Sequence, residues 1–133
     1  MSIELSLREV AGVTIFDLSG RMETGAEGQT LHAALLHAFD EGHHWLLVNC
    51  EGLMAVDSSG LGDLVSAHAA ILRRGGIMRL LHPSEHIAHL LAVTRLNTLL
   101  DVYEDESDAI ASFNSKTNQL TQQKLTDYLK RDD

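Results

Sequence analysis

The chain carries little that would fix it covalently or embed it in a membrane. Among its 133 residues there is one cysteine, Cys50, so no internal disulfide can form. A reducing, cytoplasmic setting is expected. Cys50 closes an apolar run, where a free thiol behaves as a small buried hydrophobe. Basic residues are scarce: ten Lys and Arg against nineteen Asp and Glu give a formal charge of −9. That balance excludes a general nucleic-acid binder, which needs clustered cations against phosphates. It also disfavours adsorption to anionic lipid. No apolar run approaches the roughly 18 residues of a membrane span. The opening Met1-Ser2-Ile3-Glu4 lacks the basic and apolar regions of a secretory leader, so none is expected. No internal period of repeats is present.

What remains is an ordinary globular composition, 44% hydrophobic and 22% charged, of a length suited to one core. Residues 3–7 alternate apolar and polar as a half-buried strand does, Ala11-Gly12 makes a turn, and residues 13–18 form a second strand, together an antiparallel hairpin. Residues 19–23 are a polar break. From about Thr24 to Asp40, Leu31, Ala34, Leu35, Ala38 and Phe39 recur at helical spacing, with Gly42 as the stop. Residues 45–50 are nearly all apolar, as in a central strand covered on both faces. After a loop, a helix from Ser58 to about Arg74 presents Leu61, Leu64, Val65, His68, Ile71 and Leu72, and ends at Gly75-Gly76. Residues 77–81 make a strand, and Pro83 opens a helix bearing Ile87, Leu90, Leu91 and Val93. Residues 102–103 are a short strand and 107–113 a short helix. This alternation predicts an α/β fold, a single domain with a mixed sheet of four to five strands and helices packed against it. Over residues 114–133 the composition turns to Gln, Asn, Lys and Thr around Leu120, Leu125, Tyr128 and Leu129. This is a C-terminal extension, helical or disordered.

The informative segment is Val56-Asp57-Ser58-Ser59-Gly60-Leu61-Gly62, between the central strand and a helix. Asp and Ser are preferred helix N-caps, Gly60 permits a tight turn, and Gly62 permits close packing. Taken alone this is a well-capped helix. Its position has an electrostatic consequence, because open amides and the dipole at a helix N-terminus favour an anion. A phosphate on Ser58, carrying about −1.5 to −2 charges, would be tolerated there while changing any interface that covers it.

Other features have plainer explanations. His82, His86 and His89 cluster near one predicted helix, but a metal site needs convergent ligands, and exposed or helix-packing histidines account for them. His43-His44 is a polar lead-in to a strand. Asp101, Glu104, Asp105, Glu106 and Asp108 form a solvated acidic surface. A serine hydrolase elbow requires glycine two residues either side of the serine. Ser58 has Val56 before it, and Ser59 is flanked by Asp57 and Leu61. Phosphate-cradling and dinucleotide-binding glycine loops are absent.

The run Asp57-Ser58-Ser59-Gly60-Leu61-Gly62, with the strand before it, the helix ending in Gly75-Gly76 after it, and Leu18-Ser19-Gly20-Arg21 upstream, resembles the STAS domain of bacterial anti-sigma factor antagonists. The likeness spans about residues 3–113, so residues 1–113 are taken as the STAS-like domain and 114–133 as an addition to it. The resemblance implies a non-enzymatic, cofactor-free partner switch. The unphosphorylated protein would bind an anti-sigma factor with a kinase fold and serine kinase activity, which phosphorylates Ser58 and is then released, while a phosphatase resets the cycle. It assigns partner contact to Gly20, Asp57, Ser58, Ser59, Gly60, Leu61 and Gly62. Glu23 stands where the family often has an Asp, one methylene longer. The alternative within the same fold is a non-catalytic STAS subunit of a stress-signalling complex or of a lipid-transport ATPase.

Overall fold

The computed structural model describes residues 3–114. A hairpin of β1 (Ile3–Val10) and β2 (Val13–Met22) leads into α1 (Ala26–Asp40), β3 (Trp45–Val56), α2 (Ser58–Arg73), β4 (Ile77–Leu81) and α3 (Glu85–Val93). A single 3-10 turn, Leu96–Thr98, then precedes β5 (Val102–Tyr103) and α4 (Glu106–Phe113). The five strands form one sheet in chain order, β1-β2-β3-β4-β5. The first pair is antiparallel and the others are parallel. The expected α/β fold with a mixed sheet is therefore present, with five strands. The segment 115–133 of the expected C-terminal extension lies outside the described residues.

Local chemistry explains the elements. The hairpin turns on Ala11 and Gly12, both at positive φ (51° and 82°), the left-handed pair that matches the strand twist. β3 is buried on both faces at Leu46, Leu47, Val48 and Cys50. Alternate residues therefore feed two separate apolar layers. On one face, α1, α2 and α3 cover Phe16, Leu18, Val48, Cys50 and Leu80. Right-handed crossovers between strands added in one direction place all three helices on that side. On the other face, α4 covers Val13, Ile15, Leu47, Ile77 and Leu81 with Ala109 and Phe113.

Two expectations need correction. Residues 19–22 are not a polar break but the continuation of β2, and the residues after Cys50 are not a loop but six more residues of β3. These two extensions pair with each other, Ser19 with Gly52 and Met22 with Val56. The ladder satisfies their backbone groups whatever their side chains are. The register shifts between Asp17 and Ser19 and between Gly20 and Arg21. Such bulges break the period-two pattern by which a strand is recognised. Gly20, within the expected polar break, lies inside β2 at φ 104°.

Candidate functional site

The carboxyl ends of β2 and β3 lie side by side, at the edge where open α/β sheets usually place their sites. The backbone N–H of Asp57 donates to the carbonyl of Met22 (3.0 Å), tying the two strand ends together. The chain then turns into α2. Asp57 is the N-cap, extended at φ −98° and ψ 180°, and its Oδ1 accepts from the Gly60 amide at 2.8 Å. The first intrahelical bond runs from Leu61 N–H to Asp57 C=O (3.0 Å). The amides of Ser58 and Ser59 precede it and face out of the helix end.

This geometry separates the roles of neighbouring residues. Ser58 is the first helical residue, not the cap. Ser58 and Ser59 are both exposed, and neither hydroxyl makes a hydrogen bond among the described residues. Gly60 is buried in the angle between β2, β3 and α2. A Cβ there would lie 2.9 Å from Val56 Cγ2 and 3.1 Å from Met22 Cβ. Close packing thus falls to Gly60 and not to Gly62, which is exposed with nothing within 4 Å of an added Cβ. Leu61 is buried at 3% and roots the helix in the core.

The loop after β2 supplies the other side of the site. Glu23 is exposed, and its Oε1 accepts from Arg21 Nη1 at 3.1 Å. Gly25, at φ 87°, caps α1 and faces the serine pair: a Cβ on it would lie 3.8 Å from Ser59 Oγ. Glu27, buried in the first turn of α1, reaches back over the loop. Its carboxylate accepts from the amides of Glu23 (3.0 Å) and Thr24 (2.9 Å) and from the Thr24 hydroxyl. These donors, the Thr24 hydroxyl foremost, hold the Glu27 carboxyl below its ordinary pKa. Gly28 packs against Asp63 of α2, where an added Cβ would meet the carboxylate at 2.2 Å. The first turns of α1 and α2 therefore approach closely at Gly28.

Sequence inspection missed Gly25, Glu27, Gly28 and Asp63. One signal was available: Thr24 followed three residues later by Glu27 is the capping-box spacing. Here the box is altered, because the threonine hydroxyl donates to the glutamate instead of accepting an amide. Met54 was missed as well. It lies three residues before Asp57 on β3, about 10 Å along the strand, and is 68% exposed. Gly20 is half-buried within β2, two positions before its end. Among the described residues no group of three or more His, Cys, Asp or Glu is placed to hold a metal. No helix among them is long and apolar enough to cross a membrane.

The STAS domain model matches residues 4–109. A Thermotoga neapolitana protein named as an anti-sigma factor antagonist homologue is 28% identical over 76 residues, which is 54% of this chain and 67% of that one. The anti-sigma factor antagonist SpoIIAA, solved in its unphosphorylated form, superposes with a TM-score of 0.69 at 22% identity, covering 84% of this chain and 96% of that one. The phosphorylated form of SpoIIAA, from Bacillus, gives 0.63 at 22% identity, covering 81% and 97%. The order of strands and helices, the capped strand-to-helix junction and a family match over most of the chain agree: this chain belongs to the STAS domain family.

Proposed function

We propose that this protein is an anti-sigma factor antagonist, regulatory and not catalytic, that switches partners through phosphorylation of Ser58. The observation that carries this reading is the division of labour at the start of α2. Asp57 alone caps the helix, which leaves the Ser58 hydroxyl exposed and unbonded at a helix end favourable to anions. The names of its relative and of its structural neighbour support the same role.

In this reading an anti-sigma factor with a kinase fold docks over the ends of β2 and β3 and the N-terminus of α2. Glu23, Asp57, Ser58, Ser59 and Gly62 are the exposed or half-exposed contacts, while Gly60 and Leu61 shape the surface from beneath. The kinase brings ATP to Ser58. Ser58 Oγ bonds to the γ-phosphorus as the bond to the β-phosphate oxygen breaks, ADP leaves, and the hydroxyl proton passes to a base on the kinase. The new phosphate meets the open helix amides, so the fold tolerates it. The docked partner meets a solvated dianion in its interface and lets go. A phosphatase restores the first state.

Incubation with a purified kinase-fold anti-sigma factor and ATP is expected to add one phosphate, located on Ser58 by mass spectrometry. Ser58→Ala should abolish it and bind constitutively, whereas Ser59→Ala should still be modified. Ser58→Asp, with less charge and fewer acceptors than phosphate, should bind more weakly by calorimetry. Phosphate on Ser59, or wild-type affinity in Ser58→Asp, would overturn the mechanism.

A further inference from the structure

The sheet is covered very unequally. On the α1–α2–α3 side the core holds twenty-two buried apolar residues among those described, against seven on the α4 side. α4 itself has eight residues, of which Ala109 and Phe113 are buried. A helix of that length does not stand alone in water. It reaches the sheet through β5, an edge strand of two residues.

Among the described residues, a pair of devices at its two ends holds α4 down. At the C-terminal end, Phe113 packs between Trp45, at 6.1 Å between ring centroids, and the guanidinium of Arg79, 4.8 Å from its ring. At the N-terminal end, Arg8 of β1 bridges two carboxylates. Its Nε and Nη2 bind Asp17 at 2.7 and 3.2 Å, and its Nη1 and Nη2 bind Glu106 at 3.0 and 2.5 Å. Asn49 donates to Asp17 at 2.8 Å and steadies that side. Arg8 and Glu106 are 98 residues apart, so the first strand of the chain fastens its last described helix. The side chains of this bridge are 32–38% exposed, a setting in which ion pairs contribute modestly and exchange readily with water.

We propose that α4 is a strap that lifts from the sheet as a unit, with Arg8 as its clasp, while the α1–α2–α3 side and the Ser58 site stay folded. Proteins open locally in cooperative pieces, and the pieces that open first bury least and are held by exposed polar contacts. α4 buries only Ala109 and Phe113 of its eight residues, and at its N-terminal end it is held by the exposed Arg8 bridge. Lifting it would uncover Val13, Ile15, Leu47, Ile77 and Leu81 on the face opposite the three larger helices. Trp45, the sole tryptophan, would lose the Phe113 ring and report the event directly.

Hydrogen-exchange mass spectrometry on the full chain tests this. Amides of α4 should exchange more than tenfold faster than those in the middle of α2, since about 1.4 kcal/mol of difference in opening free energy already gives tenfold. Arg8→Gln should speed exchange in α4 about two- to fivefold, the range for losing an exposed ion pair, and leave α2 unchanged. Glu106→Gln should do the same from the helix side. In a urea titration, Trp45 fluorescence should shift before helical circular dichroism is lost. Equal exchange in α4 and α2, coincident transitions by the two probes, or an Arg8→Gln effect spread evenly over both helices would each overturn the proposal.

Discussion

At the scale of single residues, Asp57 and Ser58 divide a task that one residue often performs. Because the carboxylate at position 57 satisfies the Gly60 amide, Asp57→Ala should cost about 0.5–2 kcal/mol in urea unfolding. Ser58→Ala, at a position with no capping bond, should stay within a few tenths of a kcal/mol. The glycines make a sharper pair. Gly62→Ala meets open space in a helix and should stabilise by about 0.5–1 kcal/mol. Gly60→Ala collides with Val56 and Met22 and should destabilise, moving thermal unfolding in the opposite direction. Cys50 is buried, and burial pushes its thiol up to about 12. It should resist thiol reagents in the native state and react only on unfolding. The cap was legible in the sequence because Asp before Ser-Ser-Gly is a local signal. Which glycine is crowded was not, because that depends on how α2 leans against the end of β2, a matter of tertiary packing.

At the scale of elements, the sequence announces those whose burial is regular. Residues 45–50 read as a central strand because both sides of β3 are apolar there. The six residues that follow, Glu51-Gly52-Leu53-Met54-Ala55-Val56, hide their strand character. Bulges put Gly52 tight against the Leu18 carbonyl, at 2.5 Å from an ideal Cβ, and leave Met54 in solvent. The same holds for the last four residues of β2. These irregular strand ends carry the candidate site, so the region that matters most was the one periodicity described least well. The loop between β2 and α1 depends on Glu27. Its carboxyl lies below its ordinary pKa because the charged form accepts three hydrogen bonds. The stability it contributes is therefore fully present above the unfolded carboxylate pKa of about 4 and is lost as pH falls through the lower folded value. Glu27→Gln should loosen residues 23–25, seen as faster amide exchange at Glu23 and Thr24, with α2 unaffected.

At the scale of the molecule, the Arg8 bridge ties a contact between the first strand and α4 to pH. Hydrogen bonds from Arg8 are the leading reason that Asp17 and Glu106 both titrate below the ordinary carboxylate range. Their folded-state pKa values are depressed, so the stability they add is present above about pH 4 and declines below it. Stability measured between pH 7 and pH 3 should fall in wild type, and part of that fall should vanish in Arg8→Gln. An identical pH profile in the two proteins would show that the bridge contributes nothing to acid sensitivity. The overall α/β architecture was readable from the alternation of strands and helices. The side on which each helix lies, and the union of residues 8 and 106, were not, because no local pattern encodes a contact across most of the chain.

The sheet's strand order also bears on how the chain reaches this state. Since each strand pairs with the one before it, every segment finds its neighbour already in place as the chain lengthens. No strand must wait for a distant partner to be inserted beside it. Loop closures are correspondingly short and their entropy modest. Assembly from the amino end, one strand-helix unit at a time, is compatible with folding during synthesis. The exceptions are the contacts of α4, Ala109 and Phe113 on Val13 and Ile15 and the Arg8–Glu106 pair, which can form only after this last described helix has emerged.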